Sequence, residues 1–359
     1  MVPHLVTALS GPIDDLEQRV LDSMPAIERW FRLEWMEHTP PFYSAVDIRN
    51  SGFKLSPVDL DFFPGAWSCL APDMMPLAVQ SAMAAIEKIC PEARNLLLIP
   101  DHRLNNSFYL NGLDQLMRIF NMAGLNIKLG SIDPAIEKIQ HFTLQNGRQL
   151  TIEPVQRTKH RLMLKDFDPC TILLNHDLSH GIPGILEDLH EQYLLPPLHA
   201  SWALRRRNKH YEAYDELSKR LAKLLNIDPW LINPLYSFCG ELDLSKNTDC
   251  DTLEGHVDAL LQKIRRKYRE YSIDEKPFIV VKANQGPEAR GFLTLRDTKD
   301  LKNLHLMPNG NQATPFKGEL ILQEGIRTHE RINDVVAEPV VHMIDRYVVG
   351  GYYRVHAQL

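Results

Sequence analysis

Lys282 stands near the end of an apolar run, and two glycines, Gly286 and Gly291, follow it. A lysine at the end of a buried strand reaches phosphate oxygens, and a short glycine-bounded turn folds its backbone N–H groups over them. Such a pair also occurs by chance in many hairpins, so alone it is a weak signal. The next block is richer. Gln323 and Glu324 end an apolar run before Gly325, where alternating carbonyl and N–H groups would meet an adenine edge, with Glu324 as the polar partner. Glu338 and Arg354 lie on two later apolar runs that would face the phosphates. In phosphoryl transfer a protein mostly supplies positioning and cations, so Lys282 and Arg354 beside Mg2+ are the candidate catalytic groups. The alternative is a structural ion pair between Glu338 and Arg354 within a sheet.

The elements that must hold these groups follow from hydrophobic periodicity. Helical spacing over 13–36 is stopped by Pro40 and Pro41. Residues 43–54 read as a strand leading into a turn at Asn50, Ser51 and Gly52, followed by a polar loop rich in Pro and Asp. A helix over 76–88, an apolar strand over 95–99, a helix over 107–123 and a strand over 125–129 come next, an alternation that predicts an open, largely parallel sheet. After a strand over 170–175, helical periods dominate 186–271, with about four helices expected from their spacing. The last ninety residues or so read as strands. The division is an N-terminal open α/β domain (1–155), a mainly helical region (156–271) and a C-terminal antiparallel-sheet portion (272–359).

Composition excludes several classes. The 359 residues, 44% of them hydrophobic, bury a large core, and 40 basic against 46 acidic side chains leave a net charge of −6. That gives no broad basic field for nucleic acid or anionic lipid, and Arg205–Arg207 and Arg265–Lys267 read as solvated helix faces. Apolar runs fall far short of the roughly 20 residues that cross a bilayer, and the first ten residues lack a signal peptide's basic and apolar regions, so a cytoplasmic location is expected. The five cysteines form no Cys-x-x-Cys pair, so neither a disulfide framework nor a zinc site is suggested.

Several blocks, in order, resemble the proteobacterial glutamate-cysteine ligases, enzymes of ATP-grasp fold. They are Val46-Asp-Ile-Arg-Asn-Ser-Gly-Phe-Lys-Leu-Ser-Pro-Val-Asp59, Phe62-Phe-Pro-Gly65, Ile172-Leu-Leu-Asn-His-Asp-Leu-Ser-His-Gly-Ile-Pro183, Asp228-Pro-Trp-Leu-Ile-Asn-Pro234 and the run from Gln323 to His356. The resemblance implies an ATP-grasp fold, ATP and Mg2+ as cofactors, and glutamate and cysteine as substrates. ATP would phosphorylate the glutamate side-chain carboxylate, and the cysteine amine would displace phosphate to give γ-glutamylcysteine, the first step of glutathione biosynthesis.

A site for a zwitterion then needs both signs of charge. Arg49 and Lys54 would hold the α-carboxylate, and Asp59 and Asp61 the ammonium. A loop held by local ion pairs is the alternative. Asn175, Asp177 and Ser179 follow a buried strand, where ligands of open α/β sheets bind; an Asx turn or helix cap is their alternative. Departures from the family pattern are Pro287 and Glu288 inside the glycine-bounded loop, Ser68-Cys69 and His176 where amides are expected, and Asp101–Asn106, which matches loosely. Pro287 removes a donor and Glu288 adds negative charge, which Arg290 offsets in part. ATP-grasp enzymes usually take magnesium-binding carboxylate and amide ligands from a segment following the last residue here, so no complete metal site is assigned and the magnesium ligands stay open. A divergent, non-catalytic ATP-grasp protein that binds nucleotide or amino acid is the alternative function.

Overall fold

Proline placement sets the first division of the chain. The computed structural model describes residues 4–7, 11–286, 293–301 and 316–355. After a short strand β1 (Leu5–Val6) come α1 (Pro12–Asp22) and α2 (Met24–Glu37), two helices where the periodicity over 13–36 predicts one. Pro25 explains the break, because a proline fits the first turn of a helix but removes a hydrogen bond from a helix interior. Next are β2 (Tyr43–Asn50), β3 (Leu55–Asp61), α3 (Met75–Ile89), β4 (Asn95–Pro100), α4 (Ser107–Met122) and β5 (Asn126–Ser131). β3 corrects an expectation: the Pro- and Asp-rich stretch is a strand, its polar residues alternating with apolar ones on a half-buried sheet.

The chain continues through β6 (Gln140–Thr143), β7 (Gln149–Pro154), β8 (Gln156–Thr158), β9 (Arg161–Met163), β10 (Thr171–Asn175) and β11 (Tyr193–Leu195). Then follow α5 (Arg207–Leu225), β12 (Tyr236–Asp243), α6 (Asn247–Glu270), β13 (Ile279–Ala283), β14 (Leu293–Leu295), β15 (Lys317–Glu324), β16 (Arg331–Ile332), β17 (Val335–Ile344) and β18 (Tyr347–Val355). Between 186 and 271 lie two α-helices, α5 and α6, with 3-10 turns and strands around them, fewer helices than the charged periodicity suggests. The Pro-rich stretch 194–206 accounts for the difference, since proline lacks the donor a helix interior needs.

Among the described residues three large sheets carry the fold, beside the two-stranded β8–β9 pair. The first runs β11-β10-β4-β5-β7-β6, parallel except for its β6 edge, and β4 and β10 are buried on both faces as their unbroken apolar sequences require. The second places β2 between β3 and β17, with β18 on the far side of β17, so residues 43–61 and 335–355 share one sheet. The third is antiparallel, β12-β15-β13-β14. The apolar stripe of α6, Leu253, Val257, Leu260, Leu261 and Ile264, is buried in the core under this sheet. Each such side chain contributes about 1.5–3 kcal/mol. No helix among the described residues is long and apolar enough to cross a membrane.

Candidate active site

The β2–β3 pairing contains an irregularity on which the site is built. Asp47 pairs with Asp59 and Ile48 with Pro57, so Val58 is an extra residue. A bulge frees its residue from the ladder and redirects its groups. The Val58 carbonyl accepts hydrogen bonds from Lys282 Nζ (3.1 Å), Tyr211 Oη (3.0 Å) and Gln323 Nε2 (3.3 Å). β13, β15 and α5 thereby converge on one backbone atom of β3, next to Asp59.

On one side of this junction lies a cavity of about 380 Å3. β2 and β3 present Asp47, Asp59 and Asp61 to it, β17 and β18 present His342 and Arg354, and the loops after β4 and β10 add Arg103 and Asp177. It opens at the carboxyl ends of parallel strands, where sequential strands leave a crevice. Arg354 Nη2 donates to Asp47 Oδ1 at 2.6 Å. Burial pushes the Asp61 carboxyl up to about 6, against the lowering effect of the Phe63 N–H, with Asp59 raising it further. Burial also raises Asp47, with Arg354 acting in the opposite direction. The Asp59 charge adds to the rise at both Asp47 and Asp61, and carboxylates held in this way are a place for a cationic group. His342 stacks on Trp67 with ring centroids 4.5 Å apart, and burial lowers it to about 4, so its ring is neutral.

On the other side cations gather. Burial lowers Lys282 to about 8, while Asp59 opposes the shift. Arg205 lies over the Phe62 ring at 4.5 Å, and Arg207 over Trp202 at 4.6 Å. Arg207 Nη1 donates to the carbonyls of Ala283 (2.8 Å) and Gly286 (3.0 Å), whereas its Nε and Nη2 are buried without a hydrogen-bond partner among the described residues. Asn284 fixes the start of α5: its carbonyl takes the Arg207 N–H at 2.9 Å and its Oδ1 the Asn208 N–H at 2.8 Å. Gly286, at φ +95°, donates its N–H to the Trp202 carbonyl, and the Trp202 N–H goes to the Asp177 carbonyl, so cavity and cation cluster share a backbone relay.

The sequence candidates separate into groups. Asp59, Asp177 and Arg354 line the cavity, with Asp61. Lys282 and Gln323 meet at Val58, and Gly286 sits under Arg207. Asn175 is buried beneath the cavity floor, bonded to Tyr43 Oη, Tyr109 Oη and the Pro64 carbonyl. Ser179 closes an Asx turn by donating its N–H to Asp177 Oδ1 (2.9 Å). Glu338 pairs with Arg49 at 2.7 Å and faces Arg354 across the β17–β18 ladder, where its charge raises the Arg354 pKa. Lys54 and Glu324 lie elsewhere, joined at 3.0 Å with neither side chain exposed. The Glu324 and Gly325 N–H groups go to the Leu235 and Phe278 carbonyls. Gly291 lies outside the described residues.

Arg205 and Arg207 correct the solvated-face expectation. The residue between them, exposed Arg206, has extended φ/ψ and pairs with half-buried Glu319, so successive side chains alternate sides before the helix begins. That alternation was available in the sequence, given the prolines that precede it. Arg103, Asp47 and His342 lie inside segments compared with the family pattern but are not singled out there as site residues.

A family model of glutamate-cysteine ligase matches residues 17–359. A crystal structure titled "Putative gamma-glutamylcysteine synthetase" from Methylobacillus flagellatus KT is 48% identical, covering 100% of this chain and 85% of that one with a TM-score of 0.93. Two others superpose weakly. They are D-alanyl-alanine synthetase A from Vibrio cholerae (10% identity, 69% and 67% of the two chains, TM-score 0.35) and a glutathione synthetase-like effector from Globodera pallida (12%, 99% and 90%, 0.45). No curated protein matches. The chain belongs to the glutamate-cysteine ligase family. It is a ligase of glutathione biosynthesis that forms γ-glutamylcysteine, and the non-catalytic alternative has no support.

Proposed function

We propose that glutamate occupies the 380 Å3 cavity and that ATP, with Mg2+, meets it from the side of Lys282 and Arg207 in an ATP-grasp arrangement. The observation that carries this is the sorting of charge around Asp59: carboxylates and two arginines on the cavity wall, buried cations just behind. Cavities of some 300 Å3 upward suit small ligands. In this reading Asp61 and Asp177 take the ammonium, Arg103 the α-carboxylate, and Arg354 the reacting γ-carboxylate.

The cation side fits a polyphosphate, because the two unpartnered nitrogens of Arg207 are donors that an anion would satisfy. Lys282 and Arg205 add charge there, beside the Gly286 backbone at φ +95°. ATP supplies the phosphoryl group that makes the γ-carboxylate oxygen a leaving group for the cysteine amine. Mg2+ takes one or two carboxylates with phosphate and water oxygens, and Asp59, which acts on Lys282, Arg205 and Arg207 at once, is placed to provide one. Lys282 and Arg354 hold charge that develops on transfer.

Calorimetric titration with glutamate tests the assignment. Asp177→Asn keeps the oxygen that accepts the Ser179 N–H and removes the charge, and Arg103→Met removes a guanidinium. Each is expected to weaken glutamate by about 10-fold or more, the value of a charged hydrogen bond. Wild-type affinity in both variants would place glutamate elsewhere.

A further inference from the structure

Behind the substrate cavity lies a second one, of about 590 Å3, lined by Asp101, His102, Asp133 and His176. Strand register assembles this group. β4 and β10 pair in parallel with Pro100 opposite Asn175, so Asp101 and His176 are the first residues past the paired ends of neighbouring strands, and His102 follows at once. One ligand atom from each of Asp101, His102 and His176 lies within 4.8 Å of the others. The His102 and His176 rings are 6.1 Å apart, and the His180 ring is 5.9 Å from that of His102.

Asp101 supplies the second indication. It is 2% exposed; its Oδ2 accepts from Arg103 Nε (3.1 Å) and forms an ion pair with Nη2 at 2.9 Å. Its Oδ1 is buried with no hydrogen bond and lies against His102 Nδ1, which pairs with it only when that ring is protonated. A buried carboxylate oxygen left without a donor is costly, and a cation between it and the two rings removes the cost. His102 is more than half exposed, which leaves a route in from solvent.

We infer that Asp101, His102 and His176 form a binding site for a divalent transition metal of the zinc class, with His180 or water completing its coordination. Two imidazoles and a carboxylate suit zinc and its neighbours and not magnesium, which prefers oxygen donors throughout. The site is thus distinct from any phosphate-bound magnesium, and it stands whether or not the substrate assignments above hold. His176 Nδ1 accepts the Leu178 N–H at 3.0 Å. Ligation therefore either runs through Nε2, giving up that turn bond, or seats the metal at Nδ1 in the amide's place.

The full chain, stripped with a chelator, is titrated with Zn2+ against a chromogenic chelator and with Co2+ by visible absorption, and melted with and without Zn2+. The expected result is one tight equivalent, Co2+ bands of mixed nitrogen and oxygen ligation, and a Zn2+-dependent rise in Tm. His102→Gln and His176→Asn should each weaken that equivalent by about 10-fold or more and abolish the Tm rise, while melting normally in chelator. His160→Asn, at the separate His160–His190 pair, should leave it intact. Absence of a tight equivalent, or one unchanged in both His102→Gln and His176→Asn, overturns the site.

Discussion

Lys54 and Glu324 form an ion pair in which Lys54 Nζ donates to Glu324 Oε2 at 3.0 Å with both side chains wholly buried. Trp230 Nε1 and the Leu235 N–H also donate to that carboxylate, and the Lys54 ammonium lies 4.3 Å from the Trp230 ring centroid. The pair ties the turn after β2 to the end of β15 and is satisfied without ligand. Removing one partner leaves a buried charge, so Lys54→Met or Glu324→Leu should each cost about 3–5 kcal/mol in urea unfolding, and the double variant less than the sum. Full additivity would contradict the coupling.

Asp61 ties stability to function with opposite signs. Its folded-state value of about 6 exceeds the ordinary carboxylate value, so the folded protein holds that proton more firmly. The contribution to stability is present below the unfolded value and is lost as pH rises through about 6. Asp61→Asn should therefore melt higher than wild type at pH 7–8 and lose the associated slope between roughly pH 4 and 6. If the ionised carboxylate holds the glutamate ammonium, KM for glutamate rises below pH 6 in wild type, and in Asp61→Asn it is high and flat. A pH-independent KM in wild type would remove Asp61 from the substrate.

Arg354 is paired with Asp47 and lines the cavity, so Arg354→Met should affect chemistry more than folding. A loss of about 10²–10³ in kcat is expected for a group that holds developing charge. Steady-state kinetics separate this from a purely structural part, which would lower Tm and leave kcat of the folded enzyme close to wild type.

Lys282, at about 8, is largely charged at neutral pH and loses its proton as pH climbs further. Free-enzyme kcat/KM for ATP should fall above about pH 8, and Lys282→Met should remove that limb and lower kcat/KM throughout. An unchanged high-pH limb in Lys282→Met would assign it to another group.

Much of this was legible in the residues. β4, β10 and α4 follow directly from apolar runs and period, because burial on both faces leaves no room for polar residues. Asp59 was legible as a charge that an amino-acid ligand needs, Asp177 as a polar residue following a buried strand, and Arg354 as a cation expected to face phosphates. What was not legible depends on tertiary pairing. Nothing local says that Glu324 will spend its carboxylate on Lys54, 270 residues away, and not on a ligand. The bulge at Val58, which brings β3 against Lys282, is likewise set by sheet register. Asp101 and His176 become neighbours only through the parallel pairing of β4 with β10.

The most direct test is the nucleotide and amino-acid dependence of product formation by the chain. Mg-ATP is supplied with glutamate alone, cysteine alone, and both, while ADP and γ-glutamylcysteine are quantified together. Ligase chemistry predicts ADP and dipeptide in equal amounts only when both amino acids are present. Dipeptide absent with both substrates, or ADP release indifferent to glutamate, would contradict it.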